Sequence, residues 1–471
     1  MSTTVSRPAT ISESAIEQLA AQLSAPLVRP GDPGYDEARA VYNGMIDRRP
    51  ALIAQCADVA DVIAAVNFAR ENNVLLAVRG GGHNGPGLGI CDDGLVIDLS
   101  HMKGVRVDPA NRTARVAGGS IWREVDHATH AFGMATPSGI ISTTGVGGLT
   151  LGGGVGHLSR KCGLAIDNLL EADVVLADGR FVTASENENP DLFWAIRGGG
   201  GNFGVVTSFL FRLHPVDIVY GGPMLWHLDK AEEVLRWYRD FLPAQADDVN
   251  GWFAFVGIPP VAPFPEELHG KFMCGVAWCL TGPQDKAEAT LAPVRQMFGG
   301  PALDWVGPLP HPALQGMFDG IYPPGDQWYW KADFFNELSD EAIAEHVKFG
   351  AKMPTGKSTM HLYPIDGAAG RVANDATAWN FRGAKWAQVM VGVSPDPADN
   401  ERMIAWTREY WSALHPHSAG GAYVNMMMDA EDEGKDRVRA SYGSNYDRLA
   451  KIKAKYDPDN LFRVNQNIKP T

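Results

Sequence analysis

The sequence predicts an α+β protein, and three observations support this fold class. A strand, a helix and a second strand follow one another over residues 51–79, and a glycine loop ends this unit. Short strands separated by turn residues then continue to about residue 213. After Pro215, helix-like stretches alternate with aromatic-rich strands, which indicates a second domain. At 471 residues the chain is long enough for two or three domains.

The strand-helix-strand unit has the clearest pattern. Ala51–Ala54 is predicted as a buried strand, and Asp58 is placed to cap a helix over 59–72. The apolar residues of this helix recur at i, i+3 and i+4. Val74–Arg79 is the second apolar strand, and its carboxyl end carries the glycine loop. Ligands of such units bind at that end of the strands.

The rest of the first domain is predicted from short apolar runs and the turn residues between them. The stretch from Thr136 to Gly163 is dense in glycine and is predicted as loop that wraps a ligand, because such a segment packs poorly as a helix. The other predicted elements are strands at Leu95–Leu99, Val105–Asp108 and Arg112–Ala117, a helix at Ile121–Phe132, a hairpin of Glu171–Leu176 with Arg180–Ala184, a helix at Pro190–Ile196 and a strand at Gly204–Leu213.

A domain boundary is predicted near residue 216. Beyond it, the predicted helices cover 229–242, 284–298, 339–352 and 397–414, and the predicted strands cover 250–258, 270–281, 328–335, 357–363 and 386–394. The stretch 299–326 is rich in Pro and Gly and is predicted as loop. We divide the chain into residues 1–215, residues 216–420 and a C-terminal segment, 421–471, that is expected to return to the first domain.

Composition narrows the class of protein. Apolar residues make up 45% of the chain and charged residues 20%, which is ordinary for a soluble globular protein. The net charge of −14, without a long run of one sign, argues against partners such as nucleic acid or an anionic membrane. No apolar run has the length of a transmembrane helix, residues 1–10 show no secretory pattern and the five cysteines are scattered. The cytoplasm is therefore the expected location.

The glycine loop, Arg79-Gly-Gly-Gly-His-Asn-Gly85, is the strongest candidate for a ligand site. Backbone N–H groups that no Cβ shields form a concavity that suits a pyrophosphate. His83 lies in the middle of this loop. The residues alone leave two interpretations open. His83 is either a polar residue that holds the turn, or a neutral imidazole that bonds covalently to a flavin ring.

Three other motifs are rejected. Gly199-x-Gly201-x-x-Gly204 has the spacing of a dinucleotide fingerprint, but helix-like residues precede it and a strand follows, which is the reverse of the required order. The stretch 350–358 has one residue too many between its glycines for a phosphate-binding loop. His127 and His130 lack an acidic or cysteine partner at ligand spacing, so no metal site is predicted.

Seven segments, taken together, resemble one family of flavoproteins, the berberine-bridge-enzyme-like branch of the vanillyl-alcohol-oxidase (PCMH-type) superfamily. They lie in the family's order from one end of the chain to the other: Val78-Arg-Gly-Gly-Gly-His-Asn84, Gly94-Leu-Val-Ile-Asp-Leu-Ser100, Gly145-Val-Gly-Gly148 with Gly152-Gly-Gly-Val-Gly156, Asp167-Asn168, Asp191-Leu-Phe-Trp-Ala-Ile-Arg-Gly198, Gly201-Asn-Phe-Gly-Val-Val-Thr207, and Tyr456-Asp-Pro-Asp-Asn-Leu-Phe462 with Asn465-Gln-Asn467. The resemblance implies a PCMH-type FAD-binding domain of two α+β halves, and a substrate domain whose antiparallel sheet, covered by helices, lies over the isoalloxazine ring.

The resemblance also implies how the chain binds FAD. Residues 79–84 would hold the pyrophosphate, His83 would bond to the 8α carbon of the ring, and the loops at 143–148 and 153–157 would wrap the cofactor. Val206 would meet the adenine side, and Asn465 and Asn467 the ring. The full set of implied cofactor residues is Arg79, Gly80, Gly81, Gly82, His83, Asn84, Gly85, Thr143, Thr144, Gly145, Gly147, Gly148, Gly153, Gly154, His157, Val206, Asn465 and Asn467.

The chain departs from the family at a second flavin link. Many relatives carry a linking Cys in a Cys-Pro-Thr-x-Gly motif, and the matching stretch here is Ile141-Ser-Thr-Thr-Gly145. Cys162 lies at a position where relatives usually have Tyr, and we interpret it as a small buried hydrophobic residue. A single covalent link, through His83, is therefore predicted.

The catalytic residues are assigned by resemblance alone. Tyr423-Val-Asn425-Met426 resembles the family's Tyr-x-Asn-Tyr segment, so Tyr423 is the first candidate for the base and Asn425 its neighbour, although Met426 departs from the pattern. Thr144 is expected beside the flavin, where oxygen approaches. His361, Tyr363 and Lys331 on predicted strands of the substrate domain are alternative bases, whereas the aromatic residues Trp252, Phe253 and Phe255 are predicted as sheet core.

The function implied is that of an FAD-dependent oxidase. It would remove a hydride from a carbon that bears a hydroxyl or an amine, in a small organic substrate such as a secondary metabolite or a sugar-like molecule, and molecular oxygen would reoxidise the flavin to give hydrogen peroxide. Two alternatives remain open: an FAD-dependent dehydrogenase with another acceptor, and a flavin-binding protein with a non-redox, cyclase-like role. The sequence determines neither the substrate nor the oligomeric state.

Overall fold

The fold is taken from a computed structural model, which describes residues 11–428 and 430–471. The first part of the chain contains strands and helices that are mostly short, because turn residues interrupt the apolar runs. In chain order they are α1 (Glu13–Gln22), β1 (Leu27–Val28), α2 (Tyr35–Arg39), β2 (Leu52–Gln55), α3 (Val59–Glu71), β3 (Leu76–Arg79), β4 (Leu95–Asp98), β5 (Val105–Asp108), β6 (Thr113–Ala117), α4 (Trp122–His130), β7 (Met134–Ala135), α5 (Val146–Gly152), α6 (Ser159–Cys162), β8 (Leu169–Val175), β9 (Phe181–Ser185), α7 (Pro190–Ile196), β10 (Val205–Arg212) and β11 (His214–Pro215).

The first sheet confirms the predicted strand-helix-strand unit. Its order is β1-β2-β4-β3, with β2, β4 and β3 parallel and β1 antiparallel at the edge. The side chain of Asp58 caps α3, as predicted, and accepts a hydrogen bond from the N–H of Asp61 at 3.0 Å. The two strands of the unit are separated by β4, which pairs Leu95 with both Leu52 and Leu76. The glycine loop follows the last residue of β3.

The second sheet is antiparallel, in the order β5-β6-β10-β8-β9. Its strands β8 and β9 confirm the hairpin predicted around Asp178-Gly179. A small antiparallel pair of β7 with β11 ends this part of the chain. Helix α7 has the predicted bounds, Pro190–Ile196, and it begins on a proline whose missing N–H costs nothing in the first helical turn.

The second part of the chain is built on one large antiparallel sheet. Its elements are β12 (Ile218–His227), α8 (Ala231–Phe241), β13 (Val249–Gly257), β14 (Phe272–Leu280), α9 (Gln284–Leu291), β15 (Leu303–Asp304), β16 (Gly307–Pro310), α10 (His311–Gln315), β17 (Gln327–Phe335), α11 (Asp340–Gly350), β18 (Thr359–Pro364), β19 (Trp386–Ser394) and α12 (Asn400–Leu414). The strand order is β15-β12-β14-β13-β18-β19-β17, and β16 also pairs with β12. Helices α8, α11 and α12 cover one face of this sheet, and the other face lies towards the first part of the chain.

The C-terminal segment contains α13 (Ala430–Glu433), α14 (Lys435–Tyr442), α15 (Tyr446–Tyr456) and an extended tail. Helix α15 packs on α7 of the first part. The ammonium of Lys455 and the hydroxyl of Tyr456 both bind the carboxylate of Asp191, at 2.6 and 2.8 Å. The tail therefore returns to the first part of the chain.

Two predicted loops contain regular structure. The glycine-dense stretch from 136 to 163 was predicted without helices, but α5 and α6 lie in it. A Cβ at Gly147 would lie 3.4 Å from the carbonyl oxygen of Gly118, so glycine lets α5 approach a neighbouring backbone closely. The stretch 299–326 is predicted as loop because it is rich in Pro and Gly, but it contains β15, β16 and α10.

The ten-residue strand β12 was not predicted at all. It is buried along its length except at the two end residues, so it shows no alternation of apolar and polar side chains. Its centre, Gly221-Gly222-Pro223, has the composition of a turn. Strand β12 pairs with β14 over eight residues, and these tertiary contacts outweigh the local preference.

The α+β fold class is confirmed. The proposed domain limits stay a prediction, because a single hydrophobic cluster includes Phe209 from the first part, Trp252 and Val389 from the second and Ile468 from the tail. In the two described ranges, no helix has the length and apolar character needed to cross a membrane.

Candidate cofactor and substrate site

A cavity of about 350 Å³ lies between the glycine loops and the inner face of the large sheet. Its lining comes from β3 and the loop that follows, from α5, from strands β13, β17, β18 and β19, and from the C-terminal tail. A cavity of this size, with mostly apolar walls and a few polar groups, is typical of a small-molecule site. Of the described residues that line it, Arg79 is the one with a permanent charge.

The glycine loops meet backbone to backbone at Gly81 and Gly145. A Cβ on Gly81 would lie 2.4 Å from the nitrogen of Gly145, and a Cβ on Gly145 would lie 2.3 Å from the nitrogen of Gly81. Any side chain at either position would force the loops apart. At Gly148 and Gly201, which also line the cavity, the Cβ position has no neighbouring atom within 4 Å. The glycines therefore both close the loops and leave room for a ligand.

Arg79 fixes the start of the loop. Its guanidinium forms a buried salt bridge with Asp98, at 2.7 Å, and donates to the carbonyl of Ala40 at 3.2 Å. This charge is already neutralised by a carboxylate. An anionic ligand in the loop would therefore depend on the backbone N–H groups of the glycines more than on the arginine.

His83 is held against a second aromatic ring. Its imidazole stacks on Tyr42 with ring centroids 4.0 Å apart, and its Nε2 lies 3.1 Å from Oγ1 of Thr143. Burial lowers the pKa of His83 to about 4, although the carboxylate of Asp319 and the backbone of Thr143 act in the opposite direction. The ring is therefore neutral at pH 7, and in the Nε2–H tautomer the lone pair of Nδ1 is free.

Tyr423 and Asn425 form a hydrogen-bonded pair at the cavity wall. The phenol oxygen of Tyr423 accepts hydrogen bonds from the N–H of Gly154, at 2.8 Å, and from the amide of Asn425, at 2.9 Å. Asn425 also donates to the carbonyl of Leu149 at 3.0 Å. Burial raises the pKa of Tyr423, and the hydrogen bonds that its oxygen accepts oppose that rise. Both donors would stabilise a phenolate.

His361 and Tyr363 form a second polar pair on β18. The two residues lie two positions apart, so they share one face of the strand. The hydroxyl of Tyr363 lies 2.6 Å from Nδ1 of His361, and the ring of Trp252 lies 4.6 Å from that imidazole. Burial lowers the pKa of His361 to about 3 and raises the pKa of Tyr363, so both are neutral at pH 7.

Three tryptophans form an aromatic wall. Trp252, Trp328 and Trp330 all line the cavity, and their indole N–H groups have no hydrogen-bond partner among the described residues. Trp252 is buried in a hydrophobic cluster, as predicted, and it also lines the cavity, whereas Phe253 and Phe255 lie in the core under the helices. Alternation along β13 explains the difference, because residue 252 faces the cavity while 253 and 255 face the opposite side.

The C-terminal tail is fixed by a fully buried ion pair. The ammonium of Lys453 lies 2.5 Å from the carboxylate of Asp457 and also donates to the carbonyls of Asn202 and Phe462. Asp457 accepts hydrogen bonds from the backbone N–H groups of Leu461 and Phe462. All charges and protons of the pair are satisfied, and the residues that follow are placed at the cavity.

The structure brings most of the predicted site residues to this cavity. Those that line it are Arg79, Gly80, Gly81, Gly82, His83, Asn84, Thr144, Gly145, Gly147, Gly148, Val206, His361, Tyr363, Tyr423, Asn425 and Asn465. Thr143 does not line the cavity but contacts His83, and Gly154 contacts Tyr423. A Cβ at Gly153 would lie close to the rings of Trp379 and Tyr423.

Four predicted residues lie elsewhere. Lys331 points to the opposite face of β17, where it binds Asp432 at 2.7 Å and lies over the ring of Trp411. Gly85 packs on the ring of Trp330, and the buried ring of His157 lies 6.5 Å from Trp252. Asn467 is not a lining residue either. For Lys331 and His157, the direction of the side chain depends on neighbours that are remote in sequence.

The sequence analysis missed several lining residues. Tyr42 lies in a segment without a recognisable motif, and nothing local marks it as a partner for His83. Phe318 and Tyr322 lie in the stretch that was predicted as loop. Gln466 lines the cavity beside Asn465, and its Oε1, like Oδ1 of Asn465, is buried without a partner in the described ranges. Val206 was assigned to the cofactor from the segment 201–207, whereas Gly201, Asn202 and Gly204 of the same segment line the cavity without having been assigned to it.

Two family models match the chain. The model described as an FAD-binding domain matches residues 50–185, which include the glycine loop and α5. The model described as berberine and berberine-like matches residues 422–469, which include Tyr423 and the tail. Residues of both matched ranges therefore line one cavity.

Relatives of similar length extend the match over the whole chain. An uncharacterized FAD-linked oxidoreductase of Bacillus subtilis is 32% identical over 95% of this chain and 98% of its own. The chitooligosaccharide oxidase of Gibberella zeae is 29% identical over 97% of this chain and 94% of its own. A crystal structure of 6-hydroxy-D-nicotine oxidase from Arthrobacter nicotinovorans has a TM-score of 0.85 at 28% identity, and covers 95% of this chain and 98% of its own.

Proposed function

The chain belongs to the berberine-bridge-enzyme-like family of FAD-linked oxidoreductases, and on that premise we propose that it is an oxidase. It would take a hydride from a carbon that bears a hydroxyl or an amine and would use molecular oxygen as the acceptor. The observation that carries the removal of a hydride from substrate is the Tyr423–Asn425 pair at the wall of the cavity.

Tyr423 is proposed as the base. Its oxygen accepts two hydrogen bonds, so its own proton is directed to a third position. A substrate hydroxyl in the cavity would lose its proton to this oxygen in the phenolate form, which the N–H of Gly154 and the amide of Asn425 stabilise. Asn425 is then a positioning residue, because it also binds the carbonyl of Leu149 and so fixes the pair to α5.

The described residues fit an FAD. The glycine loop at 80–82 offers unshielded backbone N–H groups for a pyrophosphate, and the neutral His83 offers a nitrogen for a covalent link. Oδ1 of Asn465 and Oε1 of Gln466 are buried acceptors without partners in the described chain, which suits the polar edge of a ring. When bound, FAD would supply the acceptor for a hydride.

Thr144 is proposed to control the approach of oxygen. It lines the cavity next to Gly145, and its backbone is held by hydrogen bonds with Trp122 and Ile141 at 3.0 and 3.2 Å. A threonine is small enough to leave a path that a larger apolar side chain would close. This is the residue that favours an oxidase over a dehydrogenase.

The walls of the cavity favour an uncharged part of the substrate. Arg79 is paired with Asp98, and none of the described lining residues is a Lys, Asp or Glu. A charged group buried here would lack a partner, which is costly. Two relatives are named as oxidases of 6-hydroxy-D-nicotine and of chitooligosaccharides, so both amines and hydroxyls are represented among similar proteins.

A cytoplasmic location is also proposed, since all five cysteines are free.

The proposal is tested by separating the two half-reactions. The purified protein is mixed anaerobically with alcohols and amines, and bleaching of the flavin absorbance identifies a substrate. The reduced protein is then mixed with oxygen, and peroxide is measured. Fast reoxidation with stoichiometric peroxide is expected. Bleaching without reaction with oxygen would indicate a dehydrogenase, and a conversion of substrate without any bleaching would indicate the non-redox role.

A further inference from the structure

Asp319 holds the loop that contains Thr143 and Thr144. Its carboxylate accepts hydrogen bonds from the N–H and the hydroxyl of Ser142, at 2.9 and 2.5 Å. It also forms a salt bridge with Arg123 at 2.9 Å. Asp319 follows Phe318, a lining residue of the cavity, so one short segment of the second part of the chain contacts both the substrate space and this loop.

The loop is held from its other side by the start of α4. The N–H of Arg123 donates to the carbonyl of Ser142 at 2.8 Å, and the N–H of Trp122 donates to the carbonyl of Thr144 at 3.0 Å. The guanidinium of Arg123 also donates to the hydroxyl of Ser142 at 3.1 Å. Residues 142 to 144 are therefore fixed between α4 and Asp319, and the hydroxyl of Thr143 has a defined position 3.1 Å from Nε2 of His83.

We propose that Asp319, through Ser142 and Thr143, is a positioning residue for the covalent attachment of the flavin to His83. Thr143 occupies Nε2, and in the Nε2–H tautomer the imidazole presents the lone pair of Nδ1. Stacking on Tyr42 limits the rotation of the ring. This inference rests on the covalent link of the proposed function and adds the residues that orient the reacting nitrogen.

The attachment balances with oxygen as the oxidant. His83 exchanges its one ring N–H bond for a bond from the ring to the 8α carbon, and that carbon gives up one C–H bond. The two electrons and the two protons would pass to molecular oxygen, which would give hydrogen peroxide. The protein contributes the orientation of the His83 imidazole. A displacement of about 1 Å in a reacting group can slow a reaction by about 10²-fold.

The charge of Asp319 is expected to favour the attachment of the flavin, as its hydrogen bonds do. The carboxylate raises the pKa of His83, against the larger effect of burial, and so makes the ring nitrogen more basic. Substitutions separate the two contributions. Asp319→Asn keeps an oxygen that accepts from the N–H of Ser142 but removes the charge, and Asp319→Ala removes both. Thr143→Val keeps the shape of Thr143 and removes its hydroxyl, while Thr143→Ser retains a hydroxyl.

The experiment measures attachment, independently of turnover. Each variant is isolated with FAD, incubated in air with added FAD, and sampled over time. Acid precipitation then separates covalent from released flavin. Asp319→Ala and Thr143→Val are expected to attach flavin about 10²-fold more slowly than the wild type. The attachment rate of Asp319→Asn is expected to lie between the rates of these two variants and that of the wild type. The attachment rate of Thr143→Ser is expected to approach that of the wild type.

A second Asp–Arg pair is the matched control. Both carboxylate oxygens of Asp366 accept hydrogen bonds from the buried guanidinium of Arg160, at 2.8 and 3.3 Å, and neither of these bonds involves residues 142–144. Asp366→Asn should attach flavin at the wild-type rate. Wild-type attachment in both Asp319→Ala and Thr143→Val, or equal slowing in Asp366→Asn, would overturn the positioning role. A wild-type protein without covalent flavin would overturn it too, whereas the oxidase function is judged separately, by peroxide formation.

Discussion

The amide of Asn425 donates a hydrogen bond to the phenol oxygen of Tyr423 over 2.9 Å, and the backbone N–H of Gly154 donates to the same oxygen. The pair joins the C-terminal segment to α5, so the group that we propose as the base is fixed by residues from two distant parts of the chain.

The first prediction concerns this pair. Tyr423→Phe removes the hydroxyl but keeps the ring, and we expect flavin reduction by substrate to slow by about 10²–10⁴-fold, the usual contribution of a general base. The flavin spectrum should hardly change, because the backbone is unaltered. Stopped-flow reduction under nitrogen gives the rate. An unchanged rate would transfer the role to His361 or Tyr363, the other polar pair in the cavity. Lys331 no longer qualifies, since it binds Asp432 outside the cavity.

The second prediction concerns the flavin link. Acid precipitation of the wild type should leave the protein yellow, and one flavin-bearing peptide should contain His83. His83→Ala should release the flavin on precipitation and still bind FAD in its native state, because the glycine loops remain. Cys162 provides the control: burial raises its pKa to about 11, so its thiol is not ionised at pH 7. Flavin on a peptide with Cys162 would contradict the prediction.

The third prediction concerns oxygen. Thr144→Leu adds bulk at the cavity wall and should slow reoxidation by oxygen, while anaerobic reduction by substrate stays nearly the same. The two half-reactions are timed separately by stopped flow. Thr144→Ser, which adds no bulk, is the control and should react with oxygen as the wild type does. If both half-reactions of Thr144→Leu slow equally, the substitution merely disturbs the loop, and the preference for an oxidase loses its support at this residue.

The fourth prediction concerns the tail. Lys453→Met removes one partner of a fully buried ion pair and leaves the charge of Asp457 without compensation. We expect a loss of about 3–5 kcal/mol in the free energy of unfolding. The double variant Lys453→Met with Asp457→Leu leaves no buried charge and should recover part of this loss. Thermal unfolding midpoints of the three proteins test this. Equal midpoints for wild type and Lys453→Met would show that the pair does not hold the tail.

The fifth prediction concerns pH. Burial lowers the pKa of His157, His346 and His361 to about 3, and that of His311 to about 4. In the unfolded chain these groups titrate near 6.5, so the unfolded state binds more protons as the pH falls below that value. The free energy of unfolding should therefore fall with pH, by up to about 1.4 kcal/mol per pH unit for each histidine.

One buried group opposes this trend. Burial raises the pKa of Asp126 well above its ordinary value, so that carboxyl stabilises the fold as the pH falls. The four imidazoles, to which His83 adds a fifth in the flavin-free protein, outweigh this carboxyl, so the fold loses stability as the pH falls. The thermal midpoint should decrease as the pH is lowered from 6.5 to 5. His346 lies on α11, and the substitution His346→Gln should make this decrease smaller. A midpoint that stays constant or rises over this range would contradict the prediction.

The sequence by itself determined the local elements that bury their own apolar faces or end at their own turn residues. The strand-helix-strand unit, the hairpin at Asp178 and helix α7 were predicted for this reason. The glycine loop with His83 was also evident, because unshielded backbone and a single imidazole are local properties. Resemblance over seven segments then pointed to Tyr423 and Asn465, and both residues line the cavity.

Only the tertiary structure decided which residues meet. The contact between Gly81 and Gly145, the stacking of Tyr42 on His83 and the inward direction of Trp252 join positions that are far apart in the chain. Strand β12 has no alternating pattern because both of its faces are buried, so its neighbours and not its own residues fix its conformation. Lys331 shows the same limit, since its direction follows from the pairing of β17 and the position of α12. The direction of these side chains is set by packing between segments that are remote in sequence, so a local sequence pattern does not predict it.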